Sequence, residues 1–492
     1  MASKISLSRR TLWFTMLCCL FAGAMLFNVV QQVYAKEEGE GYRFLKSFTD
    51  VLALVQKNYV EDVSMKDLVE GAIKGMLLTL DPHSGYLAND MYEELQVETK
   101  GEFGGLGIEI TVKDGLLTVV TPIEDSPAAK AGVRPGDQII KIADEFTKHL
   151  SLVEAVKKMR GPKGTPITLS IFREGRKDLI PITVIRDVIK VKSIRSRMLE
   201  NGVGYVRLAQ FQEGSAKEFV DALEKLKQEN KGKTLEGLVL DVRNNPGGLL
   251  TQAIRVSDIF LTEGIIVYTD GRLESQKQKY FAHDDKREPE YPIVVLINGG
   301  SASASEIVAG ALQDHGRALI LGTKSFGKGS VQTILPMENG TALRLTTALY
   351  YTKNGRSIQA EGIAPDVVVS QRRFPKDSEE LLEEDEQEDV GGEKSLPRAI
   401  KNPLKKGEED SQESEQKGKT KKGKEEAELE SEPMLIGSHR ALTAELSELL
   451  KEDHQLDDAL KLLKTWKVFG GVKKPGEQMK APVAEASASK AK

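Results

Sequence analysis

The sequence predicts a multidomain α/β protein with N-terminal helices, a β-rich domain, an α/β body and a disordered, partly helical C-terminal extension. Three observations lead to this prediction. The chain has 492 residues, which is more than a single hydrophobic core usually organises. Between residues 203 and 321, short apolar runs alternate with helical patterns, as in parallel strands joined by crossover helices. After residue 370 the chain becomes rich in charged residues and poor in apolar ones.

Residues 1–35 have the features of an export signal. A basic start precedes an apolar run over residues 11–30, and Val33, Tyr34 and Ala35 fit a cleavage site. The apolar run is almost long enough to span a bilayer, so an uncleaved inner-membrane anchor is the alternative. Either way the basic end stays inside, and the rest of the chain is expected in the periplasm or cell envelope.

Residues 42–97 are predicted to be helical. Apolar residues at helical spacing, including Phe48, Val51 and Val55, form one stripe, and Ser64 begins a second helix as its cap. Two amphipathic helices this short cannot bury their apolar faces alone. We therefore expect them to pack on the body of the protein or on a second copy of it, and the expected assembly is a homodimer through the N- or C-terminal helices.

Residues 101–186 resemble a PDZ domain. The resemblance rests on the run SPAAKAGVRPGD at residues 126–137 and on the apolar residues 139–142 that follow it. It implies that a peptide end is added as a strand beside residues 108–110, with its terminal carboxylate held by backbone N–H groups. The residues expected to bind the peptide are Gly105, Leu106, Gly107, Ile108, Leu152 and Val156. The alternative is a glycine-rich hairpin without a ligand.

Two arginines in this domain, Arg134 and Arg160, are candidates for sensing a bound substrate. The alternative is that both arginines are ordinary surface charges.

The body that follows the PDZ region is predicted at residues 187–370. Its predicted strands are 203–208, 238–242, 293–297 and 318–321, and its predicted helices include 215–227 and 249–261.

Three serines lie on a glycine-rich turn, called here the serine turn (residues 298–307, NGGSASASEI). It follows an apolar strand and precedes the apolar stripe of a helix. Such a turn presents a hydroxyl at the end of a sheet and aims the first N–H groups of the helix at the same place. Ser303 and Glu306 also fit a helix-capping box, which is the structural alternative.

Two lysines, Lys324 and Lys328, lie in the next candidate region, called here the lysine segment (residues 322–337). A neutral lysine can activate a serine hydroxyl in place of histidine. Its pKa must then fall from ~10.4 to roughly 7–8, which destabilises the charged form by about 4 kcal/mol. Burial and a lack of nearby carboxylates lower a lysine pKa, and this segment contains no Asp or Glu. The alternative is a pair of solvated loop lysines.

The serine turn and the lysine segment together resemble the carboxyl-terminal processing proteases, which are serine peptidases with a Ser–Lys dyad. The motifs are GSASASEI at residues 300–307 and GKGSVQ at residues 327–332, and the resemblance extends over roughly residues 42–369. It implies a body related to the ClpP and crotonase-like fold. Residue by residue, it implies Ser303 as the nucleophile, Lys328 as the general base and Gln332 as the residue that orients the lysine.

The same resemblance implies an oxyanion hole. The sequence DVRNNPGG at residues 241–248 matches the glycine-rich loop of the family. A backbone N–H of Gly247 or Gly248, paired with that of Ala304, would hold the oxyanion, and losing one such donor typically costs about 3 kcal/mol. The alternative is a Pro-Gly turn without a catalytic role.

The function implied by the resemblance is a serine endopeptidase that binds the C-terminal ends of exported proteins through its PDZ domain and cleaves them through an acyl-enzyme. Its partners would be protein substrates with exposed apolar C-termini and an envelope adaptor protein. Two alternatives remain. One is a non-catalytic PDZ adaptor in the cell envelope, and the other is an acyl-transfer or hydratase enzyme on a related α/β fold.

The composition argues against other kinds of chemistry. The two cysteines, Cys18 and Cys19, lie in the N-terminal apolar run, so the exported domains have no disulfide, cysteine nucleophile or thiolate metal site. The six histidines are scattered, so no metal or cofactor is expected, and His83 is assigned a structural role. A net charge of -5 gives no support for nucleic-acid binding.

Beyond the body, three segments are predicted. Residues 371–433 form a charged, disordered linker, because so few apolar residues cannot bury a core. Residues 434–470 regain a helical spacing of leucines and are expected to fold back on the body or to bind a partner. Residues 471–492 are rich in Ala, Lys and Pro and are predicted to be a mobile tail.

Overall fold

A computed structural model describes residues 41–113, 115–123, 125–284, 288–370, 392–405 and 453–469. The predicted export segment (1–35), the predicted tail (471–492) and most of residues 371–452 lie outside these ranges. No helix within the described ranges is long and apolar enough to cross a membrane. The chain divides into two compact units, one ending at Thr79 and the other beginning at Leu80.

The first unit contains two helices, α1 (residues 41–58) and α2 (Met65–Leu78). The Ser64 hydroxyl caps α2 by accepting a hydrogen bond from the Asp67 N–H at 3.4 Å, as the sequence predicts. Several apolar side chains of α1 are exposed, among them Phe44, Leu45, Phe48 and Val51. Val55 of the predicted stripe is half-buried.

The second unit holds the remaining helices and strands. Its helices are α3 (Asn89–Lys100), α4 (Pro127–Lys130), α5 (Leu152–Met159), α6 (Ser215–Glu229), α7 (Leu250–Asp258), α8 (Ala304–Asp314) and α9 (His454–Phe469). Its strands are β1 (Gly85–Leu87), β2 (Glu102–Gly105), β3 (Ile108–Lys113), β4 (Leu116–Pro122), β5 (Gln138–Ile142), β6 (Glu145–Phe146), β7 (Pro166–Phe172), β8 (Ile180–Ile185), β9 (Asp187–Lys190), β10 (Ile194–Met198), β11 (Val203–Leu208), β12 (Gly237–Asp241), β13 (Ile265–Gly271), β14 (Gln278–Phe281), β15 (Ile293–Ile297), β16 (Leu319–Gly322), β17 (Ser330–Pro336), β18 (Ala342–Thr352) and β19 (Val367–Val368).

Strand β1 corrects the prediction that residues 42–97 are helical throughout. After α2 the chain turns at Asp81, whose Oδ1 accepts hydrogen bonds from the N–H groups of His83 and Ser84, both at 2.9 Å. This aspartate-centred turn competes with helix formation, and Pro82 removes a backbone donor at the same point. The chain then enters β1, which pairs with β18 of the body.

The PDZ region forms an antiparallel sheet in the order β3-β4-β5-β7-β8, with β6 paired to β5. Its apolar side chains, with Val133, Ala155 and Met159 from the connecting segments, form a separate buried core. Strand β3 lies at the end of the sheet, so one of its edges has no strand partner among the described residues. This open edge is the arrangement that the PDZ resemblance predicts for the capture of a peptide strand.

The central sheet of the body has the order β10-β11-β12-β15-β16-β19. Neighbouring strands from β11 to β19 are parallel, and β10 at the edge is antiparallel. Helices α6, α7 and α8 contribute to a buried core with this sheet, which includes Phe219, Leu240, Val295 and Val308. The alternating sequence pattern therefore correctly predicted parallel strands with crossover helices.

Helix α9 packs on the same sheet through a second buried core. Four of its apolar residues are at most 2% exposed: Leu456, Ala459, Leu460 and Leu463. The sequence left open whether the C-terminal helical segment folds back on the body or binds a partner. The described part of that segment folds back, and its first described residue, Asp453, accepts two hydrogen bonds from the Arg243 guanidinium at 2.7 and 2.8 Å.

A second sheet of the body is antiparallel and was not predicted. Its order is β1-β18-β13-β14, with β17 also paired to β18. Its strands come from distant parts of the chain, so their pairing is decided by tertiary contacts rather than by a local pattern. This sheet carries Gln332 on β17 and Tyr350 on β18.

Residues 392–405 correct the prediction of an unstructured linker over residues 371–433. The Glu393 N–H donates to the Phe326 carbonyl at 3.0 Å, and Glu393 and Asn402 are 0% and 3% exposed. A composition poor in apolar residues did not prevent this segment from being ordered, because its buried groups are polar and hydrogen-bonded and it needs no large apolar core of its own. The other residues of the predicted linker lie outside the described ranges.

Candidate active site

The serine turn joins β15 to α8, as predicted. Ser301 and Ser305 are fully buried, and their hydroxyls donate to the backbone carbonyls of Val242 at 2.8 Å and Asn245 at 2.9 Å. Ser303 is half-buried and has a φ of +55° and a ψ of -113°, a backbone conformation that is costly for a residue with a Cβ. A strained serine at a strand-to-helix turn is the geometry that exposes a nucleophile. The structure thus distinguishes Ser303 from its two neighbours.

Only half of the predicted capping box is formed. The Ser303 N–H donates to Glu306 Oε2 at 2.8 Å. The Ser303 hydroxyl makes no capping hydrogen bond to α8. The Ser303 oxygen therefore does not cap the helix. Helix capping explains the contact made by the Glu306 side chain, but it does not explain the role of the Ser303 hydroxyl.

Glu306 also binds the lysine segment. Its Oε2 accepts a hydrogen bond from the Lys328 N–H at 2.9 Å, and its Oε1 accepts from the Gly327 N–H at 2.7 Å and from the Ser325 hydroxyl at 2.5 Å. One fully buried carboxylate therefore holds the backbones of Ser303 and Lys328 together. Burial raises the pKa of Glu306 to about 7, and its hydrogen bonds oppose this rise. Sequence reasoning assigned Glu306 only to capping, and the S-x-x-E spacing was its one signal.

Lys328 is half-buried between charged groups of opposite sign. Burial lowers the pKa of Lys328, and the Arg344 guanidinium lowers it further. The carboxylates of Glu393, Glu306 and Asp81 act in the opposite direction. The expectation of a carboxylate-free environment is therefore wrong, because the fold brings three carboxylates from other segments toward a lysine segment that contains none.

Tyr350 was not singled out by the sequence. It is 2% exposed, its hydroxyl donates to the backbone carbonyl of Lys328, and it is hydrogen-bonded to the Ser303 side chain. Burial raises the pKa of Tyr350 well above its ordinary value, and the carboxylates of Glu306 and Glu393 raise it further, so the phenol stays protonated. Because it lies in an apolar run with no motif around it, only its contacts reveal its place in the site.

Gln332 lies on β17, and its side-chain amide donates to Ser330 Oγ at 3.0 Å and to Thr346 Oγ1 at 3.3 Å. Within the described residues, its hydrogen bonds run to these hydroxyls and not to Lys328. The orienting contact implied by the resemblance is therefore not formed in this conformation. The Thr346 hydroxyl donates in turn to Asp81 Oδ1 at 3.1 Å, which links Gln332 to a carboxylate that acts on the lysine.

The glycine-rich loop lies directly against Ser303. Gly247 has a φ of +106°, and a Cβ there would lie 2.7 Å from Ser303 Cβ and 3.0 Å from the Ala304 nitrogen, so the close approach requires glycine. The Gly247 N–H already donates to Asn245 Oδ1 at 2.9 Å. If the loop supplies an oxyanion donor beside Ala304, as the resemblance implies, this hydrogen bond favours Gly248 over Gly247 for that role.

Asp241 and Arg243 stabilise the beginning of this loop. Both are buried, and Arg243 Nη2 donates to Asp241 Oδ2 at 2.6 Å. Burial alone would raise the pKa of Asp241, but the guanidiniums of Arg243 and Arg207 lower it to about 2. Asp453 and Gln455 accept further hydrogen bonds from Arg243. The C-terminal helix thus supports the glycine-rich loop through this arginine.

The predicted peptide-binding residues lie at the open edge of the PDZ sheet. Gly105 ends β2, and Leu106 and Gly107 lead from it into the edge strand, which begins at Ile108; all three are buried. Leu152 and Val156 are one turn apart on α5, and both are half-buried. This arrangement offers an edge for main-chain pairing together with apolar side chains on a helix.

The two candidate sensing arginines differ in their surroundings. The side chain of Arg134 is exposed. Arg160 follows α5, and its guanidinium lies 3.7 Å from the Glu94 carboxylate of α3 and 5.1 Å from the centre of the Phe103 ring. Arg160 therefore joins the PDZ domain to the preceding helix, whereas Arg134 has the environment of a surface charge.

In the part of the chain that the structure describes, no group of three or more His, Cys, Asp or Glu side chains is arranged to hold a metal ion. His83 instead contacts a carboxylate, since its Nε2 lies 2.8 and 2.9 Å from the two oxygens of Glu393. This contact places His83 near the candidate site, but it gives no indication that His83 is a metal ligand.

Comparisons with known proteins agree with this arrangement. The model of peptidase family S41 matches residues 202–369, and a PDZ domain model matches residues 118–173. The carboxy-terminal-processing protease of Bartonella bacilliformis is 51% identical over 352 residues, which cover 72% of this chain and 81% of that protein. The chain belongs to the carboxy-terminal-processing proteases of peptidase family S41. As a member of this family, it is a serine peptidase with a PDZ domain.

Other carboxy-terminal-processing proteases are also similar. That of Synechocystis sp. is 38% identical over 326 residues, 65% of this chain and 75% of that protein. Residues 22–91 match the model of the N-terminal domain of the activating protease CtpB. The solved structure of a photosystem II D1 C-terminal processing protease is 28% identical, has a TM-score of 0.40, and covers 67% of this chain and 94% of that one.

Proposed function

We propose that this family member captures the apolar C-terminal ends of exported proteins in its PDZ domain and cleaves them with a dyad of Ser303 and Lys328. The observation that carries the proposal is the buried carboxylate of Glu306. It accepts hydrogen bonds from the backbone N–H groups of both residues, at 2.8 and 2.9 Å. A strained serine and a partly buried lysine are thereby held as one unit although they come from different loops.

The dyad requires a neutral lysine at the moment of attack. Burial and the Arg344 guanidinium lower the pKa of Lys328, which favours the neutral amine. As Ser303 Oγ attacks the scissile carbonyl carbon, Lys328 Nζ takes the proton from the hydroxyl. The oxyanion that forms is stabilised by the backbone N–H groups of Gly248 and Ala304, which act in a site that is already arranged for it.

The remaining steps return both residues to their starting state. The tetrahedral intermediate collapses as the carbon–nitrogen bond breaks, and the leaving amine takes the proton from the Lys328 ammonium. Water then attacks the ester of Ser303 and gives a proton to Lys328. The carbon–oxygen bond to Ser303 breaks as its oxygen regains that proton, and the products are an amine and a carboxylic acid.

Substrate capture is assigned to the open edge of the PDZ sheet. An extended C-terminus would pair with β3, with its carboxylate on the N–H groups of Leu106 and Gly107. The half-buried Leu152 and Val156 would contact its last apolar side chain. This supports a preference for unstructured apolar ends, because a folded C-terminus cannot add a strand to the sheet.

We also propose that the protein works outside the cytoplasm, on the basis of the export features of residues 1–35, and that it forms a homodimer through its N-terminal helices. The exposed apolar side chains of α1, such as Phe44 and Leu45, support the dimer because apolar stripes are usually covered. The mass of the purified full-length chain in solution tests this assembly. A monomer at micromolar concentration would contradict it.

The experiment that tests the function uses one unfolded protein with an apolar C-terminus, supplied with a free carboxylate or with an amidated end. We expect cleavage of the free form, and cleavage of the amidated form to be slower by roughly tenfold because it lacks the bound carboxylate. A peptide phosphonate that reacts with serine nucleophiles should label Ser303, as mass spectrometry of the digested protein would show.

The other outcomes separate the alternatives. Binding of the free C-terminus without turnover or labelling would indicate a non-catalytic PDZ adaptor. Labelling by an acyl-CoA analogue, with no labelling by the peptide probe, would indicate an acyl-transfer enzyme. Equal cleavage of the free and amidated substrates would support the peptidase activity but would contradict capture through the C-terminal carboxylate.

A further inference from the structure

Glu393 is a buried carboxylate that the proposed mechanism does not use. It lies in the described segment of residues 392–405, outside residues 202–369 that match the peptidase model. Its exposed fraction is 0%. A carboxylate is rarely buried unless hydrogen bonds or opposite charges compensate for its lost hydration. Its partners therefore indicate what keeps it there.

The Glu393 side chain joins two distant parts of the second unit. Its oxygens lie 2.8 and 2.9 Å from His83 Nε2, and Oε1 accepts a hydrogen bond from Gln359 Nε2 at 3.0 Å. The Gln359 Oε1 accepts in turn from the Gly329 N–H at 2.9 Å. Because Gly329 follows Lys328 directly, the carboxylate reaches the lysine segment through a single glutamine.

The backbone beside Glu393 contacts the lysine segment at a second point. The Glu393 N–H donates to the Phe326 carbonyl at 3.0 Å. Gly392 permits this approach, since a Cβ there would lie 2.6 Å from the Phe326 carbonyl oxygen. The contacts at Phe326 and Gly329 therefore lie on either side of Lys328 in the chain.

Four charged groups act on the Lys328 amine, each from a different element. Arg344 lies on β18, Glu306 on α8, Asp81 in the turn before β1 and Glu393 in the segment of residues 392–405. The guanidinium favours the neutral amine, whereas the three carboxylates favour the ammonium. Of these carboxylates, Glu306 lies within residues 202–369 that match the peptidase model, Asp81 precedes them, and Glu393 alone follows them.

We propose that Glu393 is a positioning residue of this peptidase, which fixes the lysine segment at Phe326 and Gly329 and contributes a carboxylate charge that acts on the Lys328 amine. The proposal rests on the proposed Ser–Lys dyad. It makes residues 392–405 a part of the catalytic centre, although a charged stretch after the peptidase body resembles a dispensable linker in sequence.

The test compares full-length wild type with Glu393→Gln, by measuring kcat and KM for an unfolded protein substrate between about pH 5 and 10. The general base acts as the neutral amine, so activity rises as the pH passes through the pKa of Lys328. Removing the carboxylate charge lowers that pKa. We therefore expect the acid limb of kcat/KM to move to lower pH by about 0.5 to 1 unit, with KM changed less than about twofold.

Glu361→Gln is the matched control. The Glu361 carboxylate is half-buried and pairs with Lys405 of the same segment at 2.9 Å, and it is not one of the four charged groups described above for Lys328. The acid limb of the kcat/KM profile of Glu361→Gln should coincide with that of wild type. Gly392→Ala tests position separately, because the added Cβ pushes against Phe326 while every carboxylate remains, and we expect kcat to fall by about tenfold.

Thermal unfolding of each variant establishes that it is folded. If Glu393→Gln does not fold, the kcat of Gly392→Ala decides whether the proposal stands. An unshifted acid limb in Glu393→Gln, or an equal loss of activity at every pH, overturns the proposal, as does an unchanged kcat in Gly392→Ala. The dyad has its own test. If Lys328→Ala retains activity, the Ser–Lys dyad assignment is wrong. If Lys328→Ala is inactive but the acid limb of Glu393→Gln is not shifted, only the positioning role of Glu393 is wrong.

Discussion

Alanine at Ser303 or at Lys328 is expected to lower the cleavage of an unfolded protein substrate by at least about 10³-fold. In the proposed mechanism, Ser303→Ala removes the oxygen that forms the acyl-enzyme, and Lys328→Ala removes the amine that takes its proton. The double variant should be no slower than either single one, because residues that act as a unit give non-additive losses. The measurement is kcat/KM, with thermal unfolding to show that each variant retains its fold.

Lys324→Ala is the control for this experiment. Lys324 lies in the same segment, four residues before Lys328, and its side chain is exposed. We expect its kcat/KM to stay within about twofold of wild type, because the exposed side chain of Lys324 is solvated and has no part in the proposed dyad. Activity retained by Ser303→Ala or Lys328→Ala would remove the dyad. An equal loss in Lys324→Ala would show that the charge of the segment, not one amine, is required.

Glu306→Gln has the second large expected effect. The carboxylate accepts hydrogen bonds from the N–H groups of Ser303, Gly327 and Lys328 and from the Ser325 hydroxyl. Glutamine keeps one oxygen but turns an amide donor toward these donors. We expect the free energy of unfolding to fall by about 3 kcal/mol and kcat/KM to fall by about 10²-fold, because buried donors lose their acceptor and the two loops separate. Denaturant unfolding and initial rates measure the two effects.

A matched carboxylate outside the site is Glu338, which is exposed in the turn between β17 and β18. Glu338→Gln should change the free energy of unfolding by less than about 0.5 kcal/mol and leave cleavage unchanged. If Glu306→Gln loses stability yet cleaves at the wild-type rate, Glu306 is a structural carboxylate only. The geometric support for the dyad would then be lost, although the identity of the nucleophile would still rest on Ser303→Ala.

Local patterns predicted much of the fold. The apolar runs at 203–208 and 293–297 are central parallel strands, and Ser64 caps the helix that it was expected to begin. These predictions succeed because strand burial and helix capping depend on residues that are close in sequence. The same patterns missed the antiparallel sheet and misjudged residues 392–405, whose structure depends on partners from elsewhere in the chain.

The candidate site shows the same division. Ser303 and Lys328 could be chosen because each lies in a short motif, and the structure adds the strained φ of Ser303 as a reason to prefer it over its neighbours. Tyr350 and Glu393 lie in no motif and enter the site only through contacts with residues far away in the sequence. The Gln332 assignment came from a motif alone, and its side chain binds other groups in this conformation.

The sequence by itself determined the order of the domains, the parallel core of the body, and the two loops from which a serine and a lysine could act. Only the tertiary structure decided the charges around Lys328, the hydrogen bond that occupies the Gly247 N–H, and the contacts of Glu393 with the lysine segment. The physical reason is that desolvation, hydrogen bonding and charge interactions depend on distances between segments. A local pattern of residues specifies the segments but not those distances.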